Sequence, residues 1–502
     1  MSDLPSNGLP DGWTVVTASD VCDVNPRKPA ADALPVDAPV SFVPMAAVDA
    51  DLGAIVDSEE RQFGEVRPKS YTPFAEGDVL LAKITPCMEN GKAAVARGLA
   101  NGLGFGTTEF HVFRSKGAVL PEYLYHYIRK QMFRDDAQAH MAGAVGQLRV
   151  PAGYIKQFEL PLPPLAEQER IVAKVEALLS WVRAVRQRLA TVPGILKHFR
   201  QAVLAHACSG KLTEDWREKN GDVQSRSVVL DGIAKLRKTT PPQPSEKRPE
   251  DLPDKWAWTT FGYVMGELRN GVSTRPAIEP PGTPILRISA TRPGKVLLDD
   301  VRYLPHADGF LGTYSLHDHD LLFTRYNGSI ELLGVCGMVR GLGKDTILYP
   351  DKLMRVRFDH GHVLPEYAEV FFQGPDTRDR LVSESKSSAG QRGISGKSIK
   401  AQAFAVPPVE EQREIVRRVE ALFALADSIE QRVQAATKQA ETLTQSILAR
   451  AFRGELVPAE ADLARAASRD YESAEQLLAR ISAGSVLPKK TRKRRKAQGV
   501  SK

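Results

Sequence analysis

Cysteine is scarce and scattered. Cys22, Cys87, Cys208 and Cys336 are the four in 502 residues. None falls in a C-x-x-C spacing, which argues against a zinc site or a disulfide framework and for reduced thiols. Long apolar runs are missing as well. No stretch approaches the ~18 consecutive apolar residues of a transmembrane helix, and the polar start from Met1 to Pro10 lacks the charged-then-apolar layout of a signal peptide. A cytoplasmic chain with no membrane partner is expected.

Catalytic signatures are also lacking. There is no Asn/Asp-Pro-Pro-Tyr/Phe tetrapeptide, no Gly-x-Ser-x-Gly turn for a nucleophile and no Gly-rich turn after a strand that would hold a methyl-donor cofactor. Gly390-Gln391-Arg392-Gly393-Ile394-Ser395-Gly396-Lys397-Ser398 ends like a phosphate loop, but five residues rather than four separate Gly390 from Gly396-Lys397, and no buried strand precedes it. His317, Asp318, His319 and Asp320 are polar neighbours, yet Asp320 heads an apolar run, which reads as a loop-to-strand boundary rather than a metal site. No catalytic constellation, cofactor site or metal site is expected, and the chain reads as a non-enzyme.

An excess of charge is present only at one end. The formal net charge is +7, and Lys489, Lys490, Arg492, Lys493, Arg494, Arg495 and Lys496 supply seven positive charges by themselves. The body is therefore formally neutral, and any nucleic-acid surface on it must be a local patch.

What the chain does have is a repeat. Leu120-Pro121-Glu122-Tyr123 returns as Leu364-Pro365-Glu366-Tyr367, Pro163-Pro164 with Glu167-Gln168 as Pro407-Pro408 with Glu411-Gln412, Val175-Glu176-Ala177-Leu178 as Val419-Glu420-Ala421-Leu422, and Gly210-Lys211-Leu212 as Gly454-Glu455-Leu456, each pair 244 residues apart. Trp13 and Trp256 form an earlier pair at 243. Each copy is a variable globular part followed by a shared tail.

The globular parts are rich in Gly, Pro and short β-prone runs such as Asp78-Val79-Leu80-Leu81 and Asp320-Leu321-Leu322-Phe323. A helix is expected after Pro121, with Tyr123, Tyr127, Ile128 and Met132 on one face. Each half is predicted to be an α+β domain built on an irregular sheet.

The tails carry a heptad stripe. In the first copy it runs Ile171, Val175, Leu178, Val182, Val185, Leu189, Val192, Leu196, Phe199, Val203; in the second, Ile415, Val419, Leu422, Ala426, Ile429, Val433, Ala436, Ala440, Leu443, Ile447. The unbroken alternation of four and three predicts two long helices paired as a coiled coil, and connectivity makes the pair antiparallel, since each helix must leave one domain and reach the next. The alternative is that each helix covers its own domain. Pro193 is expected to bend the first helix. Between the copies, Pro-rich and charged residues up to Pro249 predict a semi-extended, poorly ordered connector. Beyond Val457 a helix-prone stretch (459–481) precedes the basic tail, for which a solvated role or auxiliary phosphate contacts are the two readings.

The repeated runs Leu160-Pro161-Leu162-Pro163-Pro164-Leu165-Ala166-Glu167-Gln168 and Val406-Pro407-Pro408-Val409-Glu410-Glu411-Gln412, the helix ends at Gly210-Lys211-Leu212 and Gly454-Glu455-Leu456, the domain openings at Trp13 and Trp256, and Gly77-Asp78-Val79-Leu80-Leu81 resemble the specificity (S) subunit of Type I restriction-modification enzymes. The resemblance covers about 9 to 456. Asp318-His319-Asp320 departs from the usual Gly-Asp, and the residues after Leu456 fall outside the pattern.

The resemblance implies two target-recognition domains related by pseudo-two-fold symmetry, separated by the two antiparallel helices. Expected boundaries are 1–164 and 253–408 for the recognition domains, 165–212 and 409–456 for the helical regions, 213–252 for the linker and 457–502 for a C-terminal extension. It implies double-stranded DNA as ligand, each domain reading half of a bipartite site. The helices set the spacer and dock two methyltransferase (M) subunits, through which restriction/translocation (R) subunits join.

Candidate DNA contacts are polar and basic loop residues: Lys83, Thr85, Gln147 and Arg149 in the first domain, and Arg275, Arg325, Asn327, Gln391, Arg392 and Lys397 in the second. For helix pairing the candidates are Ile171, Val175, Leu178, Val182, Val185, Leu189, Ile415, Val419, Leu422, Ile429, Val433 and Leu443. A stand-alone DNA-modifying enzyme and a coiled-coil scaffold without sequence preference remain the alternatives.

Overall fold

The computed structural model describes residues 8–144, 146–221, 226–388 and 391–484. The expectations placed on the basic tail and on Gly390 lie outside the described residues. The chain divides into two compact units: residues 1–189 with 435–502, and residues 190–434. Each unit therefore contains one globular part, a stretch of the first long helix (Leu165–Ser209) and a stretch of the second (Val409–Phe452).

In the first unit the central sheet is antiparallel, in the order Cys22–Val24, Phe110–Ser115, Val79–Ala82, Ala93–Val95. The second unit repeats that order with Glu267–Asn270, Leu353–Arg357, Leu321–Thr324 and Cys336–Met338. The strand that opens each globular part pairs with the strand that closes it: Thr14–Thr17 with Glu159–Leu162, and Ala257–Thr260 with Ala403–Val406. Each closing strand leads through Pro-Pro into a long helix, because proline cannot extend a ladder but tolerates the first turn of a helix. Outside the central sheet the units diverge. The first adds a four-stranded sheet (Glu59–Gln62, Pro39–Val43, Leu103–Gly106, Thr72–Ala75) and a two-stranded one (Val48–Asp49, Ala54–Ile55); among the described residues the second adds two- and three-stranded pieces.

The same turn starts the equivalent strands Val79–Ala82 and Leu321–Thr324. Asp78 accepts from the Ala75 amide at 2.7 Å and binds Arg114 with both carboxylate oxygens (2.9 and 2.7 Å). Asp320 accepts from the His317 amide at 2.8 Å and holds Arg357 at 2.6 Å through each oxygen. The residue before the aspartate is left-handed in both: Gly77 at φ 83°, His319 at φ 68°. The histidine thus keeps the turn that a glycine makes more readily. The Gly-Asp departure is a local strain, not a different structure.

The helical stripe serves two surfaces. In the first unit Ile171, Val175, Leu179 and Val182 are buried in one core with Trp13, Tyr123 and Leu162 of the globular part and with Ala440, Ile447 and Leu448 of the second helix. Their spacing of four, four and three is that of a helix lying on a broad surface rather than of a strict seam. Leu178 is only partly buried. Two seam positions differ outright: Val185 is 46% exposed and Leu443 50%. A straight 3.6-residue helix rotates off a 3.5-residue seam, which brings Leu179 inward and carries Val185 and Leu443 out. In the second unit Ile415 and Val419 are buried in the domain core with Val203, Leu204 and Ala207, and Leu422 packs at its edge. There Arg200 binds Asp427 (2.6 Å) and Glu430 (3.0 Å), while Arg217, beyond the end of the first helix, reaches Glu411 near the start of the second. Rising numbers on one side meet falling numbers on the other, so the pair is antiparallel. The first helix is continuous through Pro193.

Three stretches depart from expectation. Met132 is exposed, because the helix after Pro121 ends at Ile128 and a second one (Gln131–Ala139) turns another face inward. The connector is not a loose spacer. Its helix Arg226–Arg237 buries Val229 and Ile233, four residues apart, in the second unit's core. Its Pro-rich part is pinned by side chains of that domain, with Tyr263 Oη donating to the Thr239 carbonyl (2.9 Å), Thr259 Oγ1 to Pro242 (3.0 Å) and Trp258 Nε1 to Glu246 (3.2 Å). Extended Pro-rich chain makes no hydrogen bonds of its own, so its carbonyls are free to be used this way. The stretch after Leu456 belongs to the first unit. Helices Glu460–Ala466 and Ala474–Gly484 lie there, with Ala474 and Leu477 in the core that contains Trp13.

Candidate DNA interface

The residues repeated most faithfully are not in the loops but where globular part meets helix. Trp13 Nε1 donates to Glu167 Oε1 at 3.0 Å, and Trp256 Nε1 to Glu411 Oε2 at 2.8 Å. Gln168 donates to the carbonyls of Ala118 (2.9 Å) and Pro163 (3.0 Å) and accepts from the Leu120 amide at 2.8 Å. Gln412 does the same with His362 (2.9 Å), Pro407 (2.9 Å) and Leu364 (2.8 Å). Tyr123 and Tyr367 each donate to a carbonyl of the closing strand, Pro161 and Ala405. The Glu-Gln pair is thus a buried anchor that fixes each domain to its helix.

The second oxygen of each anchoring glutamate is met differently. Glu411 Oε1 accepts from Thr213 Oγ1 (2.7 Å) and Arg217 (2.6 Å). Glu167 Oε2 accepts from the Glu460 amide at 2.8 Å, in the C-terminal stretch. Burial holds the Glu167 carboxyl above the usual carboxylate range. These anchors were legible as repeated letters, but their role was not.

On this common frame each domain carries a pair of adjoining loops. In the first, the Thr85 amide donates to the Leu148 carbonyl (3.0 Å) and the Val150 amide to Lys83 (2.9 Å), which sets Lys83 and Thr85 beside Gln147 and Arg149. In the second, the Ile394 amide donates to Arg325 (2.9 Å), and Asn327 lies opposite Arg392 across a short antiparallel pair. Arg325 and Asn327 therefore occupy the places of Lys83 and Thr85.

The side chains fare unequally. Arg149 is engaged: its guanidinium holds both oxygens of Glu109 (2.9 and 3.0 Å) and also donates to the Gln147 carbonyl at 3.0 Å. Gln147 is exposed and Lys83 half-buried, while the Thr85 hydroxyl is buried without a protein partner. In the second domain Arg325 lies over the Tyr326 ring (4.8 Å), and Asn327 Oδ1 accepts from the Ser329 amide (3.0 Å). Arg392 and Lys397 are exposed, Lys397 on a short helix capped by Ser395. The Gln391 side chain lies outside what is described. Arg275 is exposed in the loop after Glu267–Asn270, away in sequence from the loop pair but on the rim of the same cleft as Asn327. That cleft, of about 710 Å³, is also lined by Arg287, Arg292, Arg302 and Lys352. No local sequence signal marks those four, because the fold gathers them from separate strands and turns.

Beneath the loops the domains differ in kind. His111 is buried and bonded through Nε2 to the Val150 carbonyl at 2.9 Å, and burial depresses its pKa. In the second domain the position equivalent to His111 is Met354, and its neighbour Arg355 is fully buried against the carbonyls of Thr313 (3.3 Å) and Ser315 (3.2 Å) and the carboxylate of Glu267.

The family model for the Type I restriction modification DNA specificity domain matches residues 10–193. The EcoKI specificity subunit of Escherichia coli K12, a Type I restriction enzyme, is 41% identical over 345 residues, which span 69% of this chain and 68% of that protein. The chain belongs to the family of Type I restriction-modification specificity subunits. The EcoEI specificity subunit of Escherichia coli is 28% identical over 501 residues, covering 88% of this chain and 83% of the relative.

In fold, this specificity subunit matches the crystal structure of the HsdS subunit from Thermoanaerobacter tengcongensis, with a TM-score of 0.57 at 21% identity over 90% of this chain and 100% of that one. A chain from a structure on complex assembly and conformational transition of the type I R-M system gives 0.63 at 21% identity, covering 89% and 99%. Specificity subunits of these systems are non-catalytic, and they work as part of a Type I restriction-modification complex. Among the described residues no helix is long and apolar enough to cross a membrane, and no group of three or more His, Cys, Asp or Glu could hold a metal ion.

Proposed function

We propose that each globular domain of this specificity subunit reads one half of a bipartite DNA sequence. The long helices set the gap between the halves and dock two methyltransferase subunits, through which restriction/translocation subunits join, in the cytoplasm. One observation carries the reading: a repeated frame presents different side chains at equivalent loop positions, Lys83 and Thr85 in one domain, Arg325 and Asn327 in the other. Two different reading heads on one frame are what an asymmetric split site requires. Phosphate contacts position such a domain, and a few side chains at base edges give it preference.

Docking of two like subunits is supported by the outer faces of the helices. Trp181 (77% exposed) and Leu425 (54%) stand 244 residues apart, at equivalent positions of the two copies. A large apolar side chain left in water at the same place twice fits one kind of partner bound twice.

The loop assignment is tested by selecting bound sequences from a randomised duplex pool with the chain assembled with its methyltransferase subunits. Lys83→Ala is expected to relax preference in one half-site and Arg325→Ala in the other, by about 1–3 kcal/mol per lost base contact. If the double variant enriches the same sequence as the parent chain, the loop assignment is wrong.

A further inference from the structure

We infer that the cleft beside the second domain's loop pair is a phosphate clamp, in which Arg275, Arg292, Arg302 and Lys352 hold the DNA backbone. The inference rests on the reading of that domain as a DNA reader and adds residues and a role to it. The cleft, about 710 Å³, also has Tyr326 and Asn327 in its wall. Among the described residues these four cations make no side-chain hydrogen bond or ion pair. Arg292, Arg302 and Lys352 are half-buried.

Among the described residues Arg287 is the one cation of the cleft that is matched, by Asp300 at 3.2 Å. Asp351 is the carboxylate in the lining, so three positive charges stay in excess. Half-buried like charges repel one another, and a bound polyanion relieves that repulsion. Around them Ser273, Thr274 and the Asn327 amide add neutral donors of the kind that hold phosphate oxygens.

Four cations of the first domain are handled in the opposite way. Arg149 is bound by Glu109, Arg67 donates to the Pro29 carbonyl (3.1 Å) and Lys92 to Met45 (3.0 Å). Lys28 is likewise held by the carbonyls of Arg67 and Lys69. Arg149, Arg67, Lys92 and Lys28 thus tie loops together, whereas the cations of the cleft stand ready for an external anion.

The test is the salt dependence of binding to a mixed-sequence duplex, read by fluorescence anisotropy from 50 to 200 mM NaCl. The protein is the full chain assembled with its methyltransferase subunits. Each phosphate contact contributes about 0.9 to the slope of log affinity against log salt. The triple variant Arg275→Gln, Arg302→Gln, Lys352→Gln is expected to lower that slope by roughly 3. It should enrich the same sequence as the parent from a randomised pool, since phosphate contacts carry no base information.

A charge-keeping variant, Arg275→Lys, Arg302→Lys, Lys352→Arg, should restore the slope. An unchanged slope in the neutral variant overturns the clamp, and so does a lowered slope that the charge-keeping variant fails to restore. If the parent complex enriches no sequence at all, it is the recognition reading that fails, while the slope still decides the clamp.

Discussion

Glu411→Ala is expected to destabilise the second unit by about 3–5 kcal/mol, a loss visible as a lower midpoint in denaturant unfolding of the full chain. Three groups converge on this buried carboxylate: Trp256 Nε1, Thr213 Oγ1 and Arg217. Trp256 and Thr213 are fully buried, so removing the acceptor strands two donors away from water and leaves a largely shielded guanidinium without its counter-charge. Glu411→Gln keeps the shape and can still accept from the tryptophan, and should lose about half as much.

The matched change Glu167→Ala strands the Trp13 indole and the Glu460 amide but no direct cation. Its ionised form is already disfavoured by burial. A smaller loss, about 1–3 kcal/mol, is therefore expected. Equal losses at the two sites would show that Arg217 adds nothing to the second anchor.

The second large effect concerns spacing. If the helices set the gap between half-sites, inserting one heptad into each, between Leu189 and Ala190 and between Gln434 and Ala435, lengthens the gap. These are the points where one unit gives way to the other. Seven residues add roughly 10 Å of helix and turn it by only about 20° from whole turns. At ~3.4 Å per base pair the methylated sequence should gain on the order of three base pairs between unchanged halves. An insertion into one helix alone breaks the antiparallel register, as between Arg200 and Asp427, and should abolish methylation. A gap unchanged by the double insertion would remove the helices from the role of ruler.

The helices were legible because their pattern is periodic and long, and their antiparallel sense follows from connectivity. Where the stripe fails, the cause is geometric. Over its first turns the first helix packs on a globular domain as well as on a helix, so Leu179 turns inward and Val185 outward. Proline-rich letters hid the helix Arg226–Arg237, whose Val229 and Ile233 are too short an apolar pattern to outweigh their surroundings. The anchors Trp13–Glu167 and Trp256–Glu411 were visible as repeats, but a repeat does not say which atom meets which.

Least legible was the basic cleft. Net charge places the excess in the tail, since the body is formally neutral. The cleft's five cations come from five separate turns and strands that only the fold brings together. Arg149 shows the converse, a loop arginine with the look of a base reader that Glu109 has already taken.

The central claim is that two interchangeable reading heads sit on one frame. It is tested most directly by mapping methylated sites genome-wide in cells whose chain carries residues 18–158, between the opening and closing strands of the first domain, from another specificity subunit. One half of the methylated sequence should change, while the other half and the gap stay as they were. A methylated sequence that changes in both halves, or in neither, would contradict the account.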